Sequence, residues 1–372
     1  MRIAIISNHP APYRDPFLAR ISRRDEMQVE IFNERSKDRG HGFWDMKEHG
    51  YSARDLYPSD MGGLARFLFL LKNFALGSYD FVLWPGFLRL ELTASMLVMA
   101  ILGKRYGFVA DTIKQGKISG VQKWIKTIII RRATLIFVPG NRGVSFWENE
   151  YCVSKEKIVK GAYALDGRLL EDEIEKLRKG REIIRRRYGV AADDVVFLMV
   201  ANMTATRHYP VTTEAFVRFA NGRSNVKLVI VGNGPDLPRM KEFASVHHEI
   251  VALGGVSFHE MLSLYAMADV YVHGGCEPAS TALVIGAIAK LPLLSTKQVG
   301  CFFDVLEDGK SGIDAGDPTD VECFVRAFQL MDTQRNGWKK MGDAARDLSK
   351  ALDVERIVND FCRTVQKDGR AV

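Results

Sequence analysis

Chemistry-bearing residues gather in a short stretch, Gly274-Gly275-Cys276-Glu277-Pro278, which follows the apolar run Val270–His273 and precedes a helical pattern. Ala279, Ser280 and Thr281 stand at the start of that pattern. A helix N-terminus offers backbone N–H groups with no partner of their own, which suits a phosphate group. A carboxylate at a strand end, here Glu277, accepts hydrogen bonds from a bound hydroxylated ligand. A second glycine-bearing turn, Gly232-Asn233-Gly234-Pro235, follows the apolar run Val226–Val231.

Several other chemistries have no motif. The loop after the first apolar run, Asn8-His9-Pro10-Ala11-Pro12-Tyr13-Arg14, carries no glycine, so the G-x-G-x-x-G dinucleotide fingerprint is missing. Walker A, H-E-x-x-H and G-x-S-x-G patterns are missing as well. No Asp-x-Asp pair stands at a strand end, so no seat for a metal-held diphosphate is evident. Glu171 and Glu173 have that spacing but fall in a charged helix and read as a solvated face. Five cysteines without a C-x-x-C pair argue against a disulfide framework and a structural zinc.

The elements that must position these residues alternate short apolar runs with helical patterns, as in parallel α/β sheets, and they do so twice. In the first half the strands are Ile3–Ser7, Gln28–Phe32, Phe81–Trp84, Gly107–Ala110 and Leu135–Val138. Helices are expected over 16–22, 62–74, 90–102, 122–132 and from 141. In the second half the strands are Val195–Val200, Val226–Val231, Ile250–Leu253, Val270–His273 and Pro292–Ser295. The intervening helices are expected over 212–220, 237–246, 260–267 and 282–290, with a further one over 320–331. A charged helix over 166–189 joins the halves. This predicts a domain over 1–165, a second over 166–350 and a C-terminal helix within 351–372. Ligands of open α/β sheets bind beyond the carboxyl ends of the strands, so two such domains are expected to face a cleft.

Hydrophobic residues at 47% and charged residues at 26% exclude a disordered or low-complexity chain. The net charge of +7 is uneven: residues 1–165 carry 25 Lys and Arg against 16 Asp and Glu, and the remainder carries 27 against 29. The first half is therefore the part expected to meet an anionic partner. Segments 122–132 (QKWIKTIIIRR) and 62–76 (GGLARFLFLLKNFAL) mix bulky apolar and basic residues. Two readings stand: helices lying in a bilayer interface, or core-facing helices with basic outer edges. Nucleic acid is not expected, because no aromatic-interleaved basic repeat or binding motif occurs. The opening residues do not form a signal peptide pattern, and no apolar stretch is long enough to span a bilayer. A cytoplasmic protein is expected, with a peripheral seat at the inner membrane face as the extension of the charge argument.

The order of motifs over roughly residues 1–330 resembles the family-4 retaining glycosyltransferases. The matching pieces are VIVGNGP, the strand before the Glu277-Pro278 loop, the small-residue helix after it, and Asp308-Gly309-Lys310-Ser311-Gly312. SNHPAPYRDPF and HGFWDMKEHGYSARDL in the first half agree with one branch of that family. The resemblance implies a GT-B fold of two doubly wound Rossmann-like domains. It also implies a nucleotide-sugar donor, a glycan or lipid-linked acceptor, and no cofactor or metal.

Residue by residue, the resemblance implies that Glu277 lies near the donor sugar. Arg207 falls at a basic position that grips the donor diphosphate, and His208 stands where a lysine is usual. Gly232, Gly234, Pro278, Ser280 and Thr281 would border the donor; His9, Tyr13 and Arg14 would face donor or acceptor. For His208 and His9, the other reading is a plain hydrogen-bonded loop histidine, and Asp111 divides between an acceptor site and a structural role. The family's second glutamate, in E-x7-E, is absent: the position is Ile285, or Gly286 with one inserted residue. Three functions follow: a glycosyltransferase, a degenerate non-catalytic binding protein of the same fold, and a sugar-nucleotide epimerase.

Overall fold

The computed structural model describes residues 1–8, 11, 14–34, 50–58, 61–111 and 119–367. Two compact units are present. One contains the described residues through Leu165 and those from Leu352 onward, and the other runs from Asp166 to Ala351.

The first unit is built on β1 (Arg2–Ser7), β2 (Gln28–Asn33), β3 (Ala53–Asp55), β4 (Phe81–Trp84), β5 (Tyr106–Val109), β6 (Leu135–Val138) and β7 (Ile158–Lys160). They pair in parallel in the order β3-β2-β1-β4-β5-β6-β7. The central strands FVLW and LIFV are buried throughout, as continuous apolar runs covered on both faces should be. Strand order reverses between β1 and β4, which makes this the unit's switch point.

The second unit contains β8 (Val195–Val200), β9 (Val226–Val231), β10 (Ile250–Leu253), β11 (Val270–His273), β12 (Leu293–Ser295) and β13 (Gly312–Asp314), in the order β10-β9-β8-β11-β12-β13, again all parallel. Every residue of β8, VVFLMV, is buried, and each such side chain contributes about 1.5–3 kcal/mol on transfer from water. Phe197, Phe216, Phe219 and Phe328 interlock as its aromatic centre. Here the reversal lies between β8 and β11. The loops leaving those two strands carry Arg207 and Glu277.

Four parts of the chain depart from expectation. Strands β3, β7 and β13 span three residues each, too short for a periodic signal. The charged segment after Asp166 is two helices, Gly167–Arg178 and Arg181–Arg187. Its Glu171 is not a solvated residue: it pairs at 2.8 Å with both Lys290 and the buried Arg346. Burial opposes the charged carboxylate, yet bonds from Lys290 and Arg346 outweigh it and hold Glu171 below the ordinary range.

The C-terminal helix, Val354–Lys367, packs on the first unit. Phe361 meets Phe17, Phe81 and Phe137 with ring centroids 5.2, 6.0 and 6.0 Å away. Arg20 and Glu355 pair beside it at 2.6 Å. Gly161 is obligatory there: at φ +116°, a Cβ would stand 2.3 Å from Ile357 Cδ1. Among the described residues no helix is long and apolar enough to cross a membrane.

Candidate functional site

The chain leaves β8 through Ala201–Thr204, makes a 3₁₀ turn over Ala205–Arg207, and enters the helix Tyr209–Ala220. His208 joins turn to helix in the left-handed region, at φ 49°. Across the switch point, β11 runs into Gly274 and Gly275. A Cβ on Gly275 would lie 3.0 Å from Arg207 Cδ and 3.3 Å from His273 Cε1, so the loop passes closely between those two side chains.

The loop is pinned on both sides. Cys276 N–H donates to Thr206 C=O at 2.7 Å. Thr296 Oγ1 donates to Gly275 C=O at 3.3 Å, and Gly300 N–H donates to Glu277 C=O at 2.8 Å. Gly300 has no room for a side chain, because a Cβ would sit 1.5 Å from Pro278 O.

Glu277 is thereby held with only 8% of its surface exposed. Arg207 Nη2 lies 2.5 Å from its Oε2. Its other oxygen, Oε1, is hydrogen-bonded by His273 Nε2, whose side chain has no exposure at all. Two of the residues expected from sequence, Arg207 and Glu277, are therefore brought into direct contact. His273 was missed. Its signal was a polar residue closing an otherwise apolar strand, VYVH, at the switch point.

The other expected donor residues also have structural parts. Ser280 is buried and caps the helix Thr281–Ile288, its hydroxyl accepting from Leu283 N–H at 3.2 Å. That bond uses one acceptor site of the hydroxyl and leaves its O–H as a donor. Thr281 is half-buried at the first helical position, and Pro278 is exposed. Gly232 and Gly234 act through close approach: their Cβ atoms would lie 1.9 Å from Ala201 O and 2.3 Å from Met203 O. Both have φ near +150°. They let the loop after β9 lie against the segment that leads to Arg207, where Met203 N–H donates to Asn233 C=O at 2.7 Å. Burial pushes the His208 imidazole below its ordinary range, with Asp317 opposing, which favours the neutral ring over a second cation. Ile285 and Gly286 are buried, and a Cβ on Gly286 would meet the Tyr271 ring at 2.8 Å. Neither position presents a polar group.

In the first unit, the carboxyl ends of β1 and β4 and the residues after β5 line a pocket that includes Ser7, Asn8, Arg14, Pro85 and Asp111. Arg14 Nη1 donates to Ser7 Oγ at 3.5 Å, and Asn8 Oδ1 is buried without a partner among the described residues. Arg14 and Asp111 are thus brought to one pocket. His9 and Tyr13 lie outside the described residues, as does much of the HGFWDMKEHGYSARDL block. Among the described residues, no three His, Cys, Asp or Glu side chains converge as a metal cage.

Residues 180–348 match the family model of the glycosyl transferases group 1. The chain is similar to the alpha-monoglucosyldiacylglycerol synthase of Acholeplasma laidlawii, with 27% identity over 136 residues, 36% of this chain and 34% of that protein. It is also similar to the lipopolysaccharide 1,2-N-acetylglucosaminetransferase of Salmonella typhimurium, with 24% identity over 172 residues, 43% of this chain and 45% of that one. These matches span less than half the length of either curated relative. Among solved structures, a glycosyltransferase from Rickettsia africae superposes with a TM-score of 0.77 at 14% identity, covering 100% of this chain and 99% of that one. Anabaena HepE in complex with UDP-glucose superposes at 0.72 and 15% identity, covering 99% and 100%. WaaG, a glycosyltransferase involved in lipopolysaccharide biosynthesis, superposes at 0.66 and 14% identity, covering 98% and 99%. The fold is the GT-B fold, two α/β units each with a parallel sheet.

Proposed function

We propose that the protein is a retaining glycosyltransferase that moves a sugar, of the hexose class, from a nucleoside-diphosphate sugar to a glycan or lipid-linked acceptor. The observation that carries this reading is Glu277: a buried carboxylate at the second unit's switch point, in contact with a guanidinium, within the segment that matches the family model. The similar Anabaena HepE structures are complexes with UDP and with UDP-glucose, which agrees with a donor of that class.

In this reading the donor diphosphate is met by Arg207 and by the amides that open the helix Thr281–Ile288. As the bond between anomeric carbon and diphosphate breaks, negative charge grows on the leaving oxygens. A guanidinium and fixed N–H dipoles stabilise that charge without reorganising. Glu277 accepts hydrogen bonds from the transferred sugar and orients it. No metal is assigned a part, and transfer is expected to persist in EDTA. The pocket bearing Ser7, Arg14 and Asp111 is the candidate acceptor side.

The acceptor is assigned to a lipid-bearing surface. Of two relatives, one is a synthase of the glycolipid alpha-monoglucosyldiacylglycerol and the other a lipopolysaccharide N-acetylglucosaminetransferase. In the first unit, Leu64 and Trp124 are 73% and 64% exposed, on helices that also carry Arg66, Lys123 and Lys126. These features support a peripheral seat on an anionic membrane. Co-sedimentation should favour phosphatidylglycerol vesicles over phosphatidylcholine vesicles; equal partition would remove the membrane part of the proposal.

The central test is a panel of UDP- and GDP-sugars incubated with a lipid-linked acceptor extract, read by mass change. Transfer by the native chain and its loss in Glu277→Gln supports the assignment; unchanged activity in that variant refutes it. A second reading, a binding protein without turnover, is favoured by the buried, apolar surroundings of Ile285 and Gly286, which leave no second carboxylate. Calorimetric binding of a nucleotide sugar with no transfer to any acceptor in the extract would select it.

A further inference from the structure

We propose that His273 is the positioning residue for Glu277, an assignment that rests on the donor-site reading above. An ionised carboxylate only accepts hydrogen bonds, so the proton in the His273–Glu277 contact sits on Nε2, which donates to Oε1. His273 is the last residue of β11, in register with Ser295 of β12, and its backbone carbonyl accepts from Ser295 Oγ at 3.1 Å. The donor is thus fixed to the central strands and sealed from solvent.

Arg207 is placed differently. It belongs to a 3₁₀ turn whose Ala205 and Thr206 are exposed, and its own side chain is 19% exposed. Its Nε has no partner among the described residues. The guanidinium is therefore the partner that can turn from the carboxylate to an incoming diphosphate, while the imidazole is the one that stays. When Arg207 shifts, His273 keeps Oε1 in place, so that Oε2 faces the sugar as an acceptor of fixed direction. Nδ1 is buried and unpartnered among the described residues, so the ring's one polar side-chain bond is the one to Glu277. An apolar residue would fill this space without leaving an acceptor unsatisfied, which argues that the imidazole is there for that bond.

The test is calorimetric titration of the full chain with UDP, UDP-glucose, GDP and GDP-mannose. The variants are His273→Leu, His273→Asn and His273→Gln, each checked by thermal melting. Leucine removes the donor, asparagine is too short to reach Glu277, and glutamine restores an N–H at similar reach. The native chain is expected to bind one nucleotide sugar more tightly than its bare nucleotide. His273→Leu or His273→Asn should lose that advantage by about tenfold or more while binding the bare nucleotide within about twofold of native. His273→Gln should recover most of it. Equal weakening of nucleotide and nucleotide sugar, or a glutamine variant as impaired as the others, would reduce His273 to packing and overturn the proposal. A native chain that binds none of the four would overturn the donor-site reading itself, before any substitution is made.

Discussion

Arg207 Nη2 and Glu277 Oε2 lie 2.5 Å apart, although one residue stands on the loop after β8 and the other on the loop after β11. The pair spans the switch point of the second sheet. It also means that a cation suited to phosphate is held by an anion suited to sugar hydroxyls. A ligand carrying both groups can satisfy both partners at once.

Arg207→Lys should therefore weaken UDP binding by about tenfold to a hundredfold, the range for losing a charge-assisted hydrogen bond. Uridine, which lacks the diphosphate, should bind the variant and the native chain equally. Calorimetry with the two ligands separates these outcomes, and parallel losses would show that Arg207 supports the loop rather than the phosphate.

His208 should make stability depend on pH in a definite direction. Its folded value is lowered by burial, whereas in the unfolded chain it titrates near ~6.5. The unfolded state thus binds the proton first. Stability from this group is complete above about pH 6.5 and is lost as pH falls toward the lower folded value. His208→Asn keeps the left-handed backbone favourable. Urea unfolding at pH 7.5 and pH 5.5 should show a smaller loss for the variant than for the native chain; matching losses would contradict the assignment.

Gly300→Ala forces a methyl group toward Pro278 O, where only 1.5 Å is available. The expected cost is about 1–3 kcal/mol, as for other overpacking substitutions. The loop should yield as well, since Gly300 N–H holds Glu277 C=O. A lower melting temperature accompanied by weaker nucleotide-sugar binding is the expected pair of results. A variant with native melting and native binding would show that the loop repacks freely.

Phe361→Ala should destabilise the first unit by about 3–5 kcal/mol, because the ring is fully buried among Phe17, Phe81 and Phe137. Hydrogen exchange resolved by segment would place the loss in β1, β4 and β6, leaving β8 to β12 protected. Uniform loss across both sheets would show that the two units unfold together.

Much of the architecture was legible in sequence because buried parallel strands are written as unbroken apolar runs, VVFLMV and LIFV among them. The Glu277 loop was legible for a related reason: glycines and a carboxylate interrupt such a run at a sheet's carboxyl end. Contacts between distant loops were not. Nothing local in ATRHYP or GGCEPAS announces that Arg207 and Glu277 meet. His273 was obscured by its place at the end of an apolar strand. Ser280 carries a capping bond to Leu283 N–H that its place in GGCEPAS did not announce. Glu171 looked solvated because its partners Lys290 and Arg346 are remote in the chain.

The return of the Val354–Lys367 helix to the first unit has a consequence for biosynthesis. On the ribosome, the sheet of the first unit emerges before the second unit, but the face formed by Phe17, Phe81 and Phe137 lacks its cover until residues 166–351 and the helix after them have been made. The carboxyl-terminal sheet, contiguous in sequence, can close first. Newly translated molecules should accordingly pass through a stage in which this sheet is protease-resistant while the amino-terminal one is still open to chaperones.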